Sequence, residues 1–149
     1  MIPETPLPPP PIEQLPSAMA ELVPTLRDQL SQLGEEAPLI ASVRHSSRYI
    51  QYATFDGKTN LRAETVGNAY LDGPDRLDDA ALSWLRTHGW NEPDEAGNHW
   101  RHWEPCDFAV AALVGAVTLH LIHGVTAPEQ LFISPMSPCE VPGLDWDVL

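Results

Sequence analysis

Apolar and polar residues alternate through RYIQYATFDGKTNLRAETVGNAYL, from Arg48 to Leu71, the period of half-buried β-strands. Asp56-Gly57 lies between the two runs and predicts a hairpin, because a type I′ turn needs φ > 0 at both central positions. A two-residue loop sets Tyr52 opposite Leu61 and Ile50 opposite Ala63 on one face. On the other face it sets Gln51 opposite Arg62 and Tyr49 opposite Glu64. A four-residue loop, Asp56 to Thr59, keeps those faces, whereas a three-residue loop sets Tyr52 against Arg62. The apolar face is expected to carry helices, and the polar face to stay free for a partner.

Around the hairpin the pattern is mostly helical. Met19, Leu22, Val23, Leu26, Leu30 and Leu33 recur at three- and four-residue steps, one face of an amphipathic helix from Ser17 to Leu33. Pro24 either kinks that helix or lies in its first turn, and Gly34 is a natural stop. Leu39 to Val43 reads as a first strand, and His45 to Ser47 as a turn. Asp75 to His88 predicts a second helix, with Asp75 as N-cap. Gly89 and Trp90 fit a Schellman ending there, Trp90 packing back on Leu85. In the strand Asn98 to Glu104, His99, Arg101 and Trp103 alternate with Trp100 and His102. Asp107 caps a third helix running to Gly124, apolar nearly all round and so either the central core element or a dimer seam.

Both ends of the chain are rich in proline. Residues 1–16, close to half proline, read as a disordered polyproline-like arm. The expected organisation is that arm, one α+β domain over 17–133, and an extended acidic tail over 134–149. In this reading Leu131-Phe132-Ile133 docks onto the domain, and Leu144, Trp146 and Val148 offer a second anchor.

The 149 residues are 43% hydrophobic, enough for a core of ordinary size. Twenty-one acidic against eight basic residues give a net charge of −13. Such a field disfavours nucleic acid and anionic membranes as partners, and favours basic or amphipathic ones. The apolar run Phe108 to Ile122 is too short to span a bilayer, which takes about 20 residues. No secretory pattern opens the chain, and Cys106 and Cys139 share no metal-type spacing. Together these read as a cytoplasmic protein with free thiols.

The segments RYIQYATFDGKTNLRAETVGNAYL, LSWLRTHGWNEP, NHWRHWE and VTLHLIHGVTAPEQLFI resemble the actinobacterial type III secretion (T3SS)- and YbjN-like peptide-binding chaperone domains. The resemblance covers roughly residues 38–133 and rests on scattered positions. It implies a class I secretion-chaperone-like α+β fold, with an antiparallel sheet of about four to five strands under an N-terminal helix and two further helices. It also implies a small, often dimeric protein that binds a partner segment in non-globular form. His120 stands where the resemblance leads one to expect an arginine, and a neutral imidazole makes a weaker pair with a carboxylate.

Chemistry-bearing motifs are missing. There is no Gly-x-Ser-x-Gly elbow, Walker loop, dinucleotide fingerprint or His-Glu-x-x-His sequence. On a strand, His99 and His102 point to opposite faces, and Asp72, Asp75, Asp78 and Asp79 lack the order of an EF-hand. No enzyme activity, cofactor or metal is expected. The reading is a chaperone-like domain that holds a protein or peptide client, with Tyr49, Gln51, Arg62, Glu64, Trp90 and Trp103 as its candidate binding residues. The alternative is an acidic inhibitor or immunity-type protein that masks a basic folded toxin or enzyme.

Overall fold

The computed structural model describes residues 15–34, 38–95 and 97–135. In chain order the elements are α1 (Ser17–Ala20), α2 (Leu22–Ser31), β1 (Leu39–Val43), β2 (Tyr49–Phe55), β3 (Asn60–Thr65), α3 (Asp79–Thr87), β4 (His99–Trp103), α4 (Phe108–Leu121) and β5 (Leu131–Pro135). The strands form one antiparallel sheet in the order β4-β3-β2-β1-β5. This is the expected α+β architecture, with five strands. The fifth comes from the stretch expected only to dock: β5 pairs with β1 along its full length, Leu39 opposite Pro135 and Val43 opposite Leu131. Residues 1–14 and the anchor at Leu144, Trp146 and Val148 lie outside the described residues, as does Cys139; Cys106 is a free thiol.

The hairpin buries the expected face in a different register. Asp56, Gly57 and Lys58 all take positive φ (53°, 68° and 69°). The loop is therefore the four-residue one, closed by Thr59 N–H donating to the Asp56 carbonyl at 3.2 Å. Tyr52 faces Ala63, Gln51 faces Glu64 and Ala53 faces Arg62, so each partner is displaced by two residues from the two-residue-loop pairing. Because the displacement is even, the same side chains stay inside. Ile50, Tyr52, Leu61 and Ala63 are at most 1% exposed.

Pro24 falls in the first turn of α2, after a break at Glu21 that separates the one-turn α1. Its missing N–H is one of the donors that no helix satisfies internally. In α4, Ala111, Ala112, Val114 and Gly115–Leu119 are buried within this one chain, so core packing accounts for the helix's apolar character. The helix meets the sheet at Gly115, which faces the Tyr52 hydroxyl; that hydroxyl donates to the Ala111 carbonyl at 3.0 Å. Thr54, on the same sheet face, donates to the Gly34 carbonyl at the end of α2.

Helix α3 starts later than the sequence suggests. Gly73–Asp75 is a 3-10 turn, and the N-cap is Asp78, whose carboxylate accepts from Ala81 N–H at 2.8 Å. The Gly-Pro step at 73–74 gives the chain a turn of its own before the helix can begin. The ending is the expected Schellman motif: Gly89 has φ 95° and Trp90 N–H donates to the Leu85 carbonyl at 2.9 Å. Asp78→Ala should therefore cost about 1 kcal/mol, while Asp75→Ala should stay within about 0.5 kcal/mol of wild type. Urea denaturation of both variants checks this, and equal losses would contradict the assigned cap.

Candidate functional site

Helices α2, α3 and α4 all meet the sheet on the side of Ile50, Tyr52 and Thr54: α4 at Tyr52, α2 through Thr54, and α3 through His88, whose carbonyl accepts from Arg101 at 2.8 Å. The other side carries no described helix. Its cross-strand rows, read from the register, are Ile40–Gln51–Glu64–Trp100, Ala53–Arg62–His102 and Ser42–Tyr49, with Phe132 beyond Ser42 on β5. Four of the six expected binding residues, Tyr49, Gln51, Arg62 and Glu64, thus share one helix-free face, all half-buried.

Arg62 organises this face. Its guanidinium donates to Glu64 at 3.0 Å and to Asp94 at 3.0 Å, and lies 3.2 Å from His102 Nε2. The Arg62 and Glu64 side chains are 25% and 17% exposed, so the pair is less screened than an ordinary surface ion pair. With Nε2 accepting from Arg62, the neutral His102 ring keeps its proton on Nδ1, which faces Glu104 at 3.2 Å. The guanidinium also lies 4.8 Å from the Trp100 ring centroid, within cation–π range. Trp100 and Phe55 flank the His102 ring at 4.9 and 5.0 Å.

Asn98 joins the polar network to the neighbouring loops. It is 4% exposed. Its amide donates to Glu64 at 3.1 Å and to the Tyr49 hydroxyl at 3.0 Å, and its carbonyl accepts from Gly67 N–H at 3.2 Å. Burial holds the Tyr49 phenol above its ordinary pKa, with the Asn98 bond pulling the other way. The hydroxyl therefore stays protonated at neutral pH. Gly67 has no room for a side chain, since a Cβ would overlap the Gly97 carbonyl. The result is a hydrogen-bonded polar seam bordered by aromatic rings.

The two expected tryptophans do not belong to it. Trp90 is 3% exposed, with its indole N–H donating to Thr118 Oγ1 at 3.3 Å. Trp103 stands opposite Leu61 on the helix-bearing face. Arg101 lies against both rings, 5.9 Å from Trp90 and 4.7 Å from Trp103, so these indoles shield a half-buried cation in the interior. The tryptophan on the open face is Trp100, opposite Glu64 and under the Arg62 guanidinium. The alternation in His99 to Trp103 already separated Trp100 from Trp103. A tryptophan on each side left the pattern unable to say which one faced the helices.

The sheet has two edges, β4 and β5. At the β4 edge Asn91 covers Trp100: Asn91 N–H donates to the Trp100 carbonyl at 2.8 Å, and its side-chain amide donates to the same oxygen at 3.0 Å. At the β5 edge Phe132 is 42% exposed, beside the Arg44 guanidinium at 5.9 Å. The histidines do not converge. His99 faces inward and His102 outward, His120 bonds the Val125 carbonyl, and His123 bonds Thr65. No group of three metal-ligating side chains occurs among the described residues, and no described helix is long and apolar enough to cross a membrane.

Residues 18–136 match the family model described as T3SS (YopN, CesT) and YbjN peptide-binding chaperone 3, TY-Chap3. Comparison with curated proteins and with solved structures returned no match. The family match takes in every described strand and all of α2, α3 and α4. The chain belongs to this peptide-binding chaperone family.

Proposed function

We propose that this member of the TY-Chap3 chaperones is a non-enzymatic, cytoplasmic protein that holds an extended client segment against the open face of its sheet. The observation that carries the reading is the composition of that face. Trp100, Phe55, Tyr49 and Ile40 supply apolar contact around an Arg62–Glu64 pair already held in place. Aromatic and arginine side chains dominate binding energy where water is excluded, and a preset ion pair costs a client little ordering. β5 is an edge of the sheet among the described residues, and main-chain pairing there beside Phe132 would add a client strand. The net charge of −13 steers basic segments toward the protein.

A fluorescently labelled peptide alternating lysine with valine, short enough to lie across the sheet, is the direct probe. Trp100→Ala should weaken its binding about tenfold or more, equivalent to about 1.4 kcal/mol. The same peptide with glutamate for lysine should bind far less well. Binding that is indifferent to Trp100→Ala, in a variant with an unchanged circular dichroism spectrum, would refute the face as the site. Hydrogen exchange with the peptide bound separates this reading from masking of a folded basic protein. The first protects β5 and the Trp100 row, the second a compact acidic patch.

A further inference from the structure

On the helix side, away from the open sheet face, α3 and the C-terminal end of α4 enclose a groove of about 490 Å³, a size typical of ligand sites, roughly 300–1,000 Å³. Leu77, Trp84, Leu121 and Ile122 supply its apolar lining, and Arg48 and Arg76 flank it. Leu121 is 46% exposed, an apolar side chain left facing the groove mouth.

Like Arg44 and Arg101, which bond the Glu129 and His88 carbonyls, the two arginines meet no carboxylate among the described residues. Arg27, Arg62 and Arg86 each meet a carboxylate. Among the described residues, Arg48 and Arg76 bond only backbone carbonyls: Arg48 those of Ile122 and Asp75, both at 2.7 Å, and Arg76 that of Asn68 at 3.4 Å. Asp78, also on the lining, accepts the α3 cap bond and keeps its negative charge. The groove is therefore apolar, and its two guanidiniums outnumber its one carboxylate. It fits a segment in which apolar and acidic residues alternate.

The chain contains such a segment in Leu144-Asp145-Trp146-Asp147-Val148. We propose that the groove between α3 and the end of α4 is the docking site of this segment, with Trp146 or its aliphatic neighbours on the Leu77–Trp84–Leu121 lining and Asp145 and Asp147 toward Arg48 and Arg76. The reach is sufficient. Strand β5 ends at Pro135, and its opening residue Leu131 pairs with Val43, whose N–H donates to the Arg48 carbonyl. Doubling back along five strand residues takes about 15 Å and crossing two strands about 10 Å, whereas the nine residues from Pro135 to Leu144 extend to about 30 Å.

Hydrogen exchange of the full chain tests this. Amides at 144–148 should exchange at least about tenfold more slowly than unstructured rates. Leu121→Glu and Arg76→Glu should each abolish that protection while leaving the sheet amides unchanged. Adding Asp145→Lys and Asp147→Lys to Arg76→Glu should restore it. Unprotected wild-type amides at 144–148 would overturn the proposal, and so would protection that survives both groove variants. Protection lost on dilution, together with a dimer by light scattering, would overturn it in favour of a second copy's segment. Should Leu121→Glu fail to fold, Arg76→Glu and its charge-reversal partner still decide.

Discussion

Replacing Gly115 with alanine should destabilise the protein by about 3 kcal/mol, the upper part of the range for overpacking a core. In an exposed helix interior the same change stabilises by about 1 kcal/mol, because alanine has the higher helix propensity. Here the sign reverses, since a Cβ at position 115 would overlap the Tyr52 hydroxyl oxygen. Tyr52 cannot retreat: it is 1% exposed and its hydroxyl is tied to the Ala111 carbonyl of the same helix. Either α4 lifts from the sheet or the phenol leaves its bond, and both disturb packing between layers. Tyr52→Phe alone should cost about 1 kcal/mol for the lost hydrogen bond. Combined with Gly115→Ala it should recover part of the loss, because the overlapping atom is gone, although the ring carbon would still lie 3.1 Å from the new methyl. Denaturant midpoints for the four proteins give the coupling directly. Additive losses, or a Gly115→Ala variant as stable as wild type, would show that the helix does not sit on Tyr52 in this way.

That contact illustrates what the sequence could and could not disclose. Ile50, Tyr52, Leu61 and Ala63 were readable as an inner face because strand periodicity and burial carry the same information. The register was not, since two- and four-residue loops bury the same residues while shifting each cross-strand partner by two. Strand β5 was obscured by the prolines at 128 and 135. Pro135 is admissible there because it sits at the end of an edge strand. The cap at Asp78 was hidden among four nearby aspartates, any of which satisfies a sequence rule for helix starts. The polar face was legible residue by residue. Its central arrangement was not: Asp94 reaches Arg62 from a loop thirty-two positions away, and Asn98 reaches Tyr49 across forty-nine. Long-range polar contacts of this kind leave no periodic trace.

Acid should unfold this protein from a higher pH than carboxylate protonation alone would, and His123 is the reason. Its Nε2 lies 2.7 Å from Thr65 Oγ1, its Nδ1 has no partner among the described residues, and the Arg48 cation lies nearby. Burial, with a smaller contribution from Arg48, pushes the imidazole from an ordinary 6.5 down to about 3. The folded protein therefore holds His123 neutral while the unfolded chain binds a proton as pH falls below 6.5. Stability is unaffected by this group above that value, and declines by about 1.4 kcal/mol per pH unit below it until the folded form itself protonates near pH 3. Between pH 7.5 and 5.0 the loss from His123 should be about 2 kcal/mol, a large share of the roughly 5–15 kcal/mol available to a domain. His99, lowered in the same direction mainly by burial, adds to the decline. The two are separated by His123→Gln, which can keep a bond to Thr65 but carries no titrating group. Urea denaturation at both pH values should show wild type losing about 2 kcal/mol more than the variant, although His99 is present in each. Parallel losses in the two proteins would mean that His123 is not buried neutral, and that the acid sensitivity of the fold lies elsewhere.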